Sequence, residues 1–571
     1  MARQVDKRKL PLARNDWGWG LGYSRAVSLP RPVFAAAVAL TLATLAPYLY
    51  GALATPPGRS FTWLHALNPG DPYTYLAWIQ QGREGGLLFS ELLTGESGRP
   101  VLFHPLFLAI GWVARVTGLS NMAAFHVARV LLGGLLVVLL SRLVGRFVGA
   151  GRARRATFVY LLVSGGLGWA FLPPGAPLTA GAVDLWMPES SVFLSILESP
   201  LVVCAWALLA AILLAAIPEE AASGERPGGG SRRWLAIAGL ALLLGLVHPY
   251  EVVSLAAVLA AAVALGVALR WPRPAWGAPP LVALLAGAAL PALYHALVVA
   301  RDPIFGRYLS AANTLSPPPG RFLVAFLPSI VLGAFAVPRV LARRRPRDLV
   351  LLAWPLATAA LLYAPLAVQR RFVLGVQIPL AILAGIGAFE VIGPALARRL
   401  PARLPARLPR AAGAALLAGA LVVAALSNVA VVRADIEAYR RGGYPQYIPA
   451  DLARAIRRFG EVAPRDAVLL SHPSVGYFVP GLTGRRVYAG HYDQTVDLAG
   501  KIETVRAFFD AGTPDAARRA FLAGSTITHV LHSPVERALG SVEPRALPYL
   551  EEIVAEGAIR IHRVRRETLA P

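Results

Sequence analysis

Several residues in this 571-residue chain have the type and spacing to do chemistry. In Asn68-Pro69-Gly70-Asp71-Pro72-Tyr73-Thr74-Tyr75-Leu76-Ala77-Trp78 a carboxylate stands beside a proline and ahead of an aromatic run. A held carboxylate can take a proton from an attacking hydroxyl. An Asp followed by Pro is also the pattern of a helix N-cap. The two uses are compatible, with one oxygen capping and the other facing a cavity, and Tyr75 follows within the same helix. Far along the chain Arg370 and Arg371 adjoin. Guanidinium groups suit bidentate phosphate contact or, more plainly, reach toward lipid headgroups. Adjacent helical residues point about 100° apart, so one of the two is expected to face a cavity. Arg307 lies in the polar stretch 301–320. His104 in Phe-His-Pro, Asp184 and Glu189 in 184–198, His248 and Glu251 in His-Pro-Tyr-Glu, and His491 in Gly-His-Tyr-Asp-Gln-Thr complete the candidates. No ligand spacing marks a metal site among them, although a divalent ion is compatible with these acids.

The elements that must position these residues are mostly membrane-spanning. The chain is 56% apolar with mean hydropathy +0.55, and about 20 apolar residues cross a bilayer as a helix. Eleven apolar stretches are expected as spans: 33–53, 122–145, 156–173, 192–217, 234–247, 251–269, 278–300, 321–338, 349–366, 372–393 and 411–430. Every second connecting loop is rich in Arg, and such loops stay cytoplasmic. The basic tail 1–32 is therefore expected inside, with the first span as a retained signal-anchor. The loop 54–121 and the segment after 430 are expected outside. Arg370 and Arg371 run against the trend by falling on an outer turn.

The expected organisation is a polytopic all-α body over 33–430 and a small α/β domain over 431–571. The latter is read from an amphipathic helix over 451–462, a helix over 497–510, and strands near 467–471, 485–490, 527–532 and 558–564. In the loop 54–121, the pieces 72–81 and 101–117 suit helices lying along the outer interface, with Trp78 and Trp112 as headgroup-level anchors. The formal charge of +24 would suggest nucleic acid in a soluble protein. Here it sits at membrane boundaries, which points to anionic lipids and away from nucleic acid. The linkers 218–233 and 398–410 are Gly- or Pro-rich, and the second is a basic repeat suited to anionic headgroups. Cys204 is the sole cysteine, which excludes an intrachain disulfide or thiolate cluster.

Asp71, Tyr75, Gly85 and Pro105-Leu106, followed by Arg371-Phe372 and Pro379–Ala384, resemble in order the pattern of the GT-C superfamily. The likeness is to the branch with protein mannosyltransferases and aminoarabinose transferases. The resemblance covers about residues 33–395. It implies an integral-membrane glycosyltransferase of a bacterial cytoplasmic membrane, taking a sugar from a polyprenyl-phosphate donor to a lipid, glycan or protein acceptor at the outer face. It implies Asp71 as base, Arg371 before Arg370 as phosphate ligand, and Arg307 as a second donor contact. Many members carry a second acid directly after the first, where this chain has Pro72. Glu84, Glu91, Glu96, Asp184 and Glu189 are the outer-face acids that could substitute. Tyr75, His104, Asp184, Glu189, His248, Glu251 and His491 are candidates for acceptor contact or cavity lining.

A transporter or lipid flippase would instead place ionisable groups near mid-membrane and show related halves. A scaffold with an outer binding domain is a further reading. The orientation is directly testable. Reporter fusions after residue 430 and within 54–121 should both read as extracytoplasmic, and a cytoplasmic signal from either would overturn the topology.

Overall fold

The computed structural model describes residues 30–217, 230–272, 278–311, 313–398 and 408–569. Most of the basic tail and of both linkers lies outside the described residues. Six helices among the described residues are long and apolar enough to cross a membrane: Arg31–Leu53, Asn121–Phe147, Tyr250–Ala268, Pro279–Arg301, Gln369–Arg398 and Ala411–Arg441. A seventh candidate, Pro319–Ala334 with Val337–Arg343, is bent by 48°. Two expected spans are interrupted. The stretch 156–173 is broken after Val163, where the chain passes through Ser164 and the Gly165-Gly166 pair before one short turn of helix at Gly168–Phe171. The stretch 192–217 breaks between Val192–Glu198 and Pro200–Ala216. Pro200 cannot supply an N–H to the preceding turn, and Ser199 caps the new helix through Leu201 N–H at 3.2 Å.

The first four helices are α1 (Arg31–Leu53), α2 (Asp71–Arg83), α3 (Pro105–Thr117) and α4 (Asn121–Phe147). Helices α2 and α3 form the expected pair within the loop 54–121, but Trp78 is no headgroup anchor. It is 3% exposed and its ring packs among Phe89, Phe103, His104 and Phe107. The hairpin is covered by the C-terminal segment, so the apolar face meets protein. Trp112 is partly exposed and donates from its indole N–H to the Gly86 carbonyl at 2.9 Å.

Strands tie the two ends of the chain together. β1 (Arg59–Phe61) pairs antiparallel with β2 (Tyr447–Pro449), with Ser60 opposite Ile448. A second sheet has the order β4-β3-β5-β7-β6, built from β3 (Val468–Leu470), β4 (Arg486–Val487), β5 (His529–His532), β6 (Leu550–Glu556) and β7 (Ile559–Val564). β3 runs parallel to both β4 and β5, and β7 is antiparallel to β5 and β6. The helix Ala450–Val462 packs on this sheet with Leu452, Ile456 and Phe459 buried. One apolar core contains Leu76, Ile79 and Phe107 from the loop together with Ile456, Phe478 and Ile561 from the C-terminal segment. The two regions therefore share a core.

The crossing of α2 and α3 is backbone on backbone. A Cβ on Gly111 would meet the Ile79 carbonyl oxygen at 2.2 Å and Arg83 N at 2.7 Å, and one on Gly82 would meet the Leu108 oxygen at 2.4 Å. Gly111→Val should destabilise the protein by about 3 kcal/mol through overpacking, read as a lowered thermal midpoint in detergent. Gly134→Ala, on an open face of α4, should be neutral. Equal effects of the two would refute the close crossing.

Candidate active site

Asp71 is the first residue of α2, and the cap position is Gly70. The expected side-chain N-cap is not formed. The chain is already helical at Gly70 (φ −74°, ψ −41°), so Asp71 lies too far into the first turn to fold back on the N–H groups. Its Oδ2 instead accepts from Asn68 Nδ2 at 2.6 Å and, in a long contact, from the Tyr75 hydroxyl at 3.4 Å. Tyr75 is itself stacked on Phe107, with ring centroids 4.5 Å apart. The turn ahead of the helix is braced from the C-terminal segment. The Tyr477 hydroxyl donates to the Pro69 carbonyl at 2.6 Å and accepts from Tyr73 N–H at 3.1 Å. Gly70 lies against the Tyr492 ring, where a Cβ would come within 2.6 Å.

The arginine pair sits on a 3-10 turn, Gln369–Val373. This turn is pinned to the neighbouring strand-like segment: Arg370 N–H donates to the Thr314 carbonyl at 3.0 Å and Thr314 N–H to Ala367 at 2.8 Å. Arg371 forms an ion pair with the buried Glu189, and Arg370 lies over the Trp186 ring at 5.4 Å. Both arginines line the cavity, against the expectation of one. The reason is that Trp186 and Glu189 come from one stretch of the cavity wall and draw the two side chains to the same side.

The cavity measures about 640 Å³, within the range of small-molecule sites. Of the residues singled out from sequence, it brings together Asp71, Tyr75, His104, Glu189, His248, Arg370, Arg371 and His491 along one lining. Three others lie elsewhere. Arg307 is exposed on the helix Pro303–Ala311, which was expected as an irregular loop and which presents Phe305 to the cavity instead. Its start is fixed by the buried Asp302, which accepts from the Ile304 and Phe305 N–H groups. Asp184 is buried and accepts from the Ser427 hydroxyl at 2.6 Å and Gly168 N–H at 3.2 Å, tying the wall to the last long helix. Glu251 is buried behind His248, 3.6 Å from its Nδ1. Sequence reading did not single out Asn68, His65, His295 or Tyr477. Asn68 had a local signal in the Asn-Pro-Gly-Asp turn, and Tyr477 had none.

Charge in the lining is uneven. Burial disfavours an ionised Glu189, yet the adjoining Arg371 and Arg370 hold its carboxyl below the usual range. Burial pushes the His491 imidazole down to about 4 against the pull of Asp71, and the His104 imidazole down to about 3. Both are neutral near pH 7, and His104 Nδ1 lies 2.9 Å from the Val247 carbonyl. No group of three His, Cys, Asp or Glu side chains converges as a metal site among the described residues. The hydrogen-bonding neighbours of the Asp71 carboxylate are an amide and a phenol, with His491 and Asp493 in the same lining.

Glu91 lies buried near the His491 loop and accepts from Leu93 N–H at 2.9 Å. The Gln494 amide lies 3.3 Å from both of its oxygens. Burial pushes its carboxyl up to about 7. An unfolded chain releases this proton near 4.5 and the folded protein only near 7, so its stabilising contribution is complete below 4.5 and is lost as pH rises to 7. Glu91→Gln should therefore raise the thermal midpoint relative to the parent at pH 8 and leave it unchanged at pH 4.5. An identical difference at both values would refute the shift.

No family model and no curated protein matches this sequence. Solved structures share its fold. ArnT from Cupriavidus metallidurans, bound to undecaprenyl phosphate, superposes with a TM-score of 0.51 at 14% identity, over 94% of this chain and 98% of that one. The oligosaccharyltransferase AglB from Archaeoglobus fulgidus, in complex with an inhibitory peptide and a dolichol-phosphate, gives 0.50 at 13% over 87% and 69%. The mycobacterial arabinofuranosyltransferase AftD gives 0.52 at 15%, covering 94% of this chain and 40% of that one. These are glycosyltransferases of the GT-C fold.

Proposed function

We propose that this chain, which has the GT-C fold, is a membrane glycosyltransferase that moves a sugar from a polyprenyl-phosphate donor to a hydroxyl acceptor at the outer face of a bacterial cytoplasmic membrane. The observation that carries this reading is the single cavity lined by both Asp71 and the Arg370–Arg371 pair. Lipid-linked phosphate is the ligand of ArnT and of the archaeal oligosaccharyltransferase, and a donor anchored by a prenyl chain must react at headgroup depth. The excess of arginine in alternate loops supports an outer position for the Asp71 loop.

In the proposed reaction the acceptor oxygen attacks the anomeric carbon while Asp71 takes the hydroxyl proton. The bond between the anomeric carbon and the phosphate oxygen breaks, and its electron pair leaves with polyprenyl phosphate. One displacement inverts the anomeric centre. Asn68 and Tyr75 hold Oδ2, which keeps the carboxylate aimed before the acceptor arrives. Arg370, and the part of the Arg371 guanidinium not engaged by Glu189, stabilise the departing charge. Glu189 fixes the direction of Arg371 and limits how much positive charge the empty cavity holds. His491, Tyr492 and Asp493 line the wall from the C-terminal segment and are placed to meet the acceptor. No step is routed through a metal.

Asp71→Asn is the deciding variant. It keeps the size and one hydrogen-bond acceptor but removes the base. Turnover should fall by about 10²–10⁴-fold with an unchanged thermal midpoint and retained polyprenyl-phosphate binding. Unchanged sugar transfer would remove Asp71 from the mechanism.

A further inference from the structure

A second cavity, about 1110 Å³, lies where α4, the helix Arg152–Val163 and the turn before Leu349–Leu361 meet. Six arginines line it from these three elements: Arg142, Arg146, Arg154, Arg155, Arg345 and Arg347. No acidic side chain is in its lining among the described residues. Asp348 stands just outside it, 3.9 Å from Arg347. The cavity is remote from the candidate active site. Phe125, near the start of α4, stacks within 6.4 Å of Tyr75. Arg142 and Arg146 come 17 and 21 residues later on the same helix, about 25–30 Å away at 1.5 Å per residue.

The other side of this cavity is apolar. Val33 from α1, Val138 from α4, and Phe158 and Val159 from the next helix form it, and Val159 is 40% exposed on the outside of the bundle. Arg154 is fixed by donation from Nε to the Val148 carbonyl at 3.0 Å. Phosphate oxygens match the guanidinium fork. A free phosphate would meet the arginines and leave the apolar wall unused. A phospholipid uses both, with its headgroup among the arginines and its acyl chains along α1 and α4. Basic pockets between membrane helices bind anionic headgroups in this way.

We propose that this cavity is a binding site for the anionic headgroup of a membrane phospholipid, at the end of the helix bundle away from the sugar-transfer cavity. Its occupancy is independent of Asp71 chemistry.

The test uses the purified full chain in neutral detergent, titrated by native mass spectrometry with cardiolipin, with phosphatidylglycerol and with phosphatidylcholine. The parent protein should retain the two anionic lipids over the zwitterionic one, with binding weakened by salt and undisturbed by millimolar inorganic phosphate. The triple variant R142Q/R155Q/R345Q, three exposed side chains, should lose roughly 100-fold in anionic-lipid affinity at an unchanged thermal midpoint. Equal retention of phosphatidylcholine would overturn the site in favour of a nonspecific lipid annulus. Displacement by inorganic phosphate would overturn it in favour of a soluble anion. Both of these arms read the parent protein alone, so they decide the question even if the variant fails to fold.

Discussion

The Tyr477 hydroxyl spans the turn that launches α2, donating to the Pro69 carbonyl and accepting from Tyr73 N–H. Asp71 lies between those two backbone groups, and its own side chain makes no helix cap. The direction of its carboxylate therefore depends on a phenol from the distant C-terminal segment together with the local Asn68 and Tyr75 contacts. Each such hydrogen bond contributes only about 1 kcal/mol net. Their joint effect on geometry is larger than that figure suggests, because they fix both ends of one short turn. β1 pairing with β2 and the common apolar core around Leu76 and Phe478 hold the phenol itself in place.

The arginine side is organised differently. Arg370 and Arg371 are placed by main-chain bonds to the 314 segment and by an aromatic ring and a carboxylate from the 186–189 wall. A half-buried guanidinium without a counter-charge would be costly to keep in a cavity. Glu189 answers that cost and leaves Arg370 cushioned on Trp186. The result is a lining that carries both signs of charge and neutral imidazoles. The far end of α4 has the opposite arrangement: six arginines gather there with no acid in the lining among the described residues.

Much of this was legible in sequence where local rules dominate. The helix Ala450–Val462, the helix Leu498–Phe509 and strands β3, β5 and β7 follow their hydrophobic periodicity closely. The long apolar runs of α1 and α4 were equally plain. Eight of the eleven singled-out residues line one cavity. Contacts set by packing were not legible. Trp78 looked like an interface anchor because nothing local reveals that Phe89, Phe103 and Phe107 of the same loop fold around its ring. Arg307 shared the composition of a ligand loop, but the periodicity of its short helix gave Phe305 the inward position. Asp184 and Glu251 had the chemistry of site residues, and tertiary partners took them into the wall. Tyr477 is one tyrosine among 17, and only the folded chain shows what its hydroxyl holds.

The brace and the turn it holds are 408 residues apart in the chain. At 5–20 residues per second, a ribosome finishes Tyr477 roughly 20–80 s after Pro69. Throughout that interval the nascent protein carries Asp71 on an unbraced turn, with α2 and α3 lacking their cover. Translation order alone therefore leaves the turn that carries Asp71 without its brace until the final segment docks.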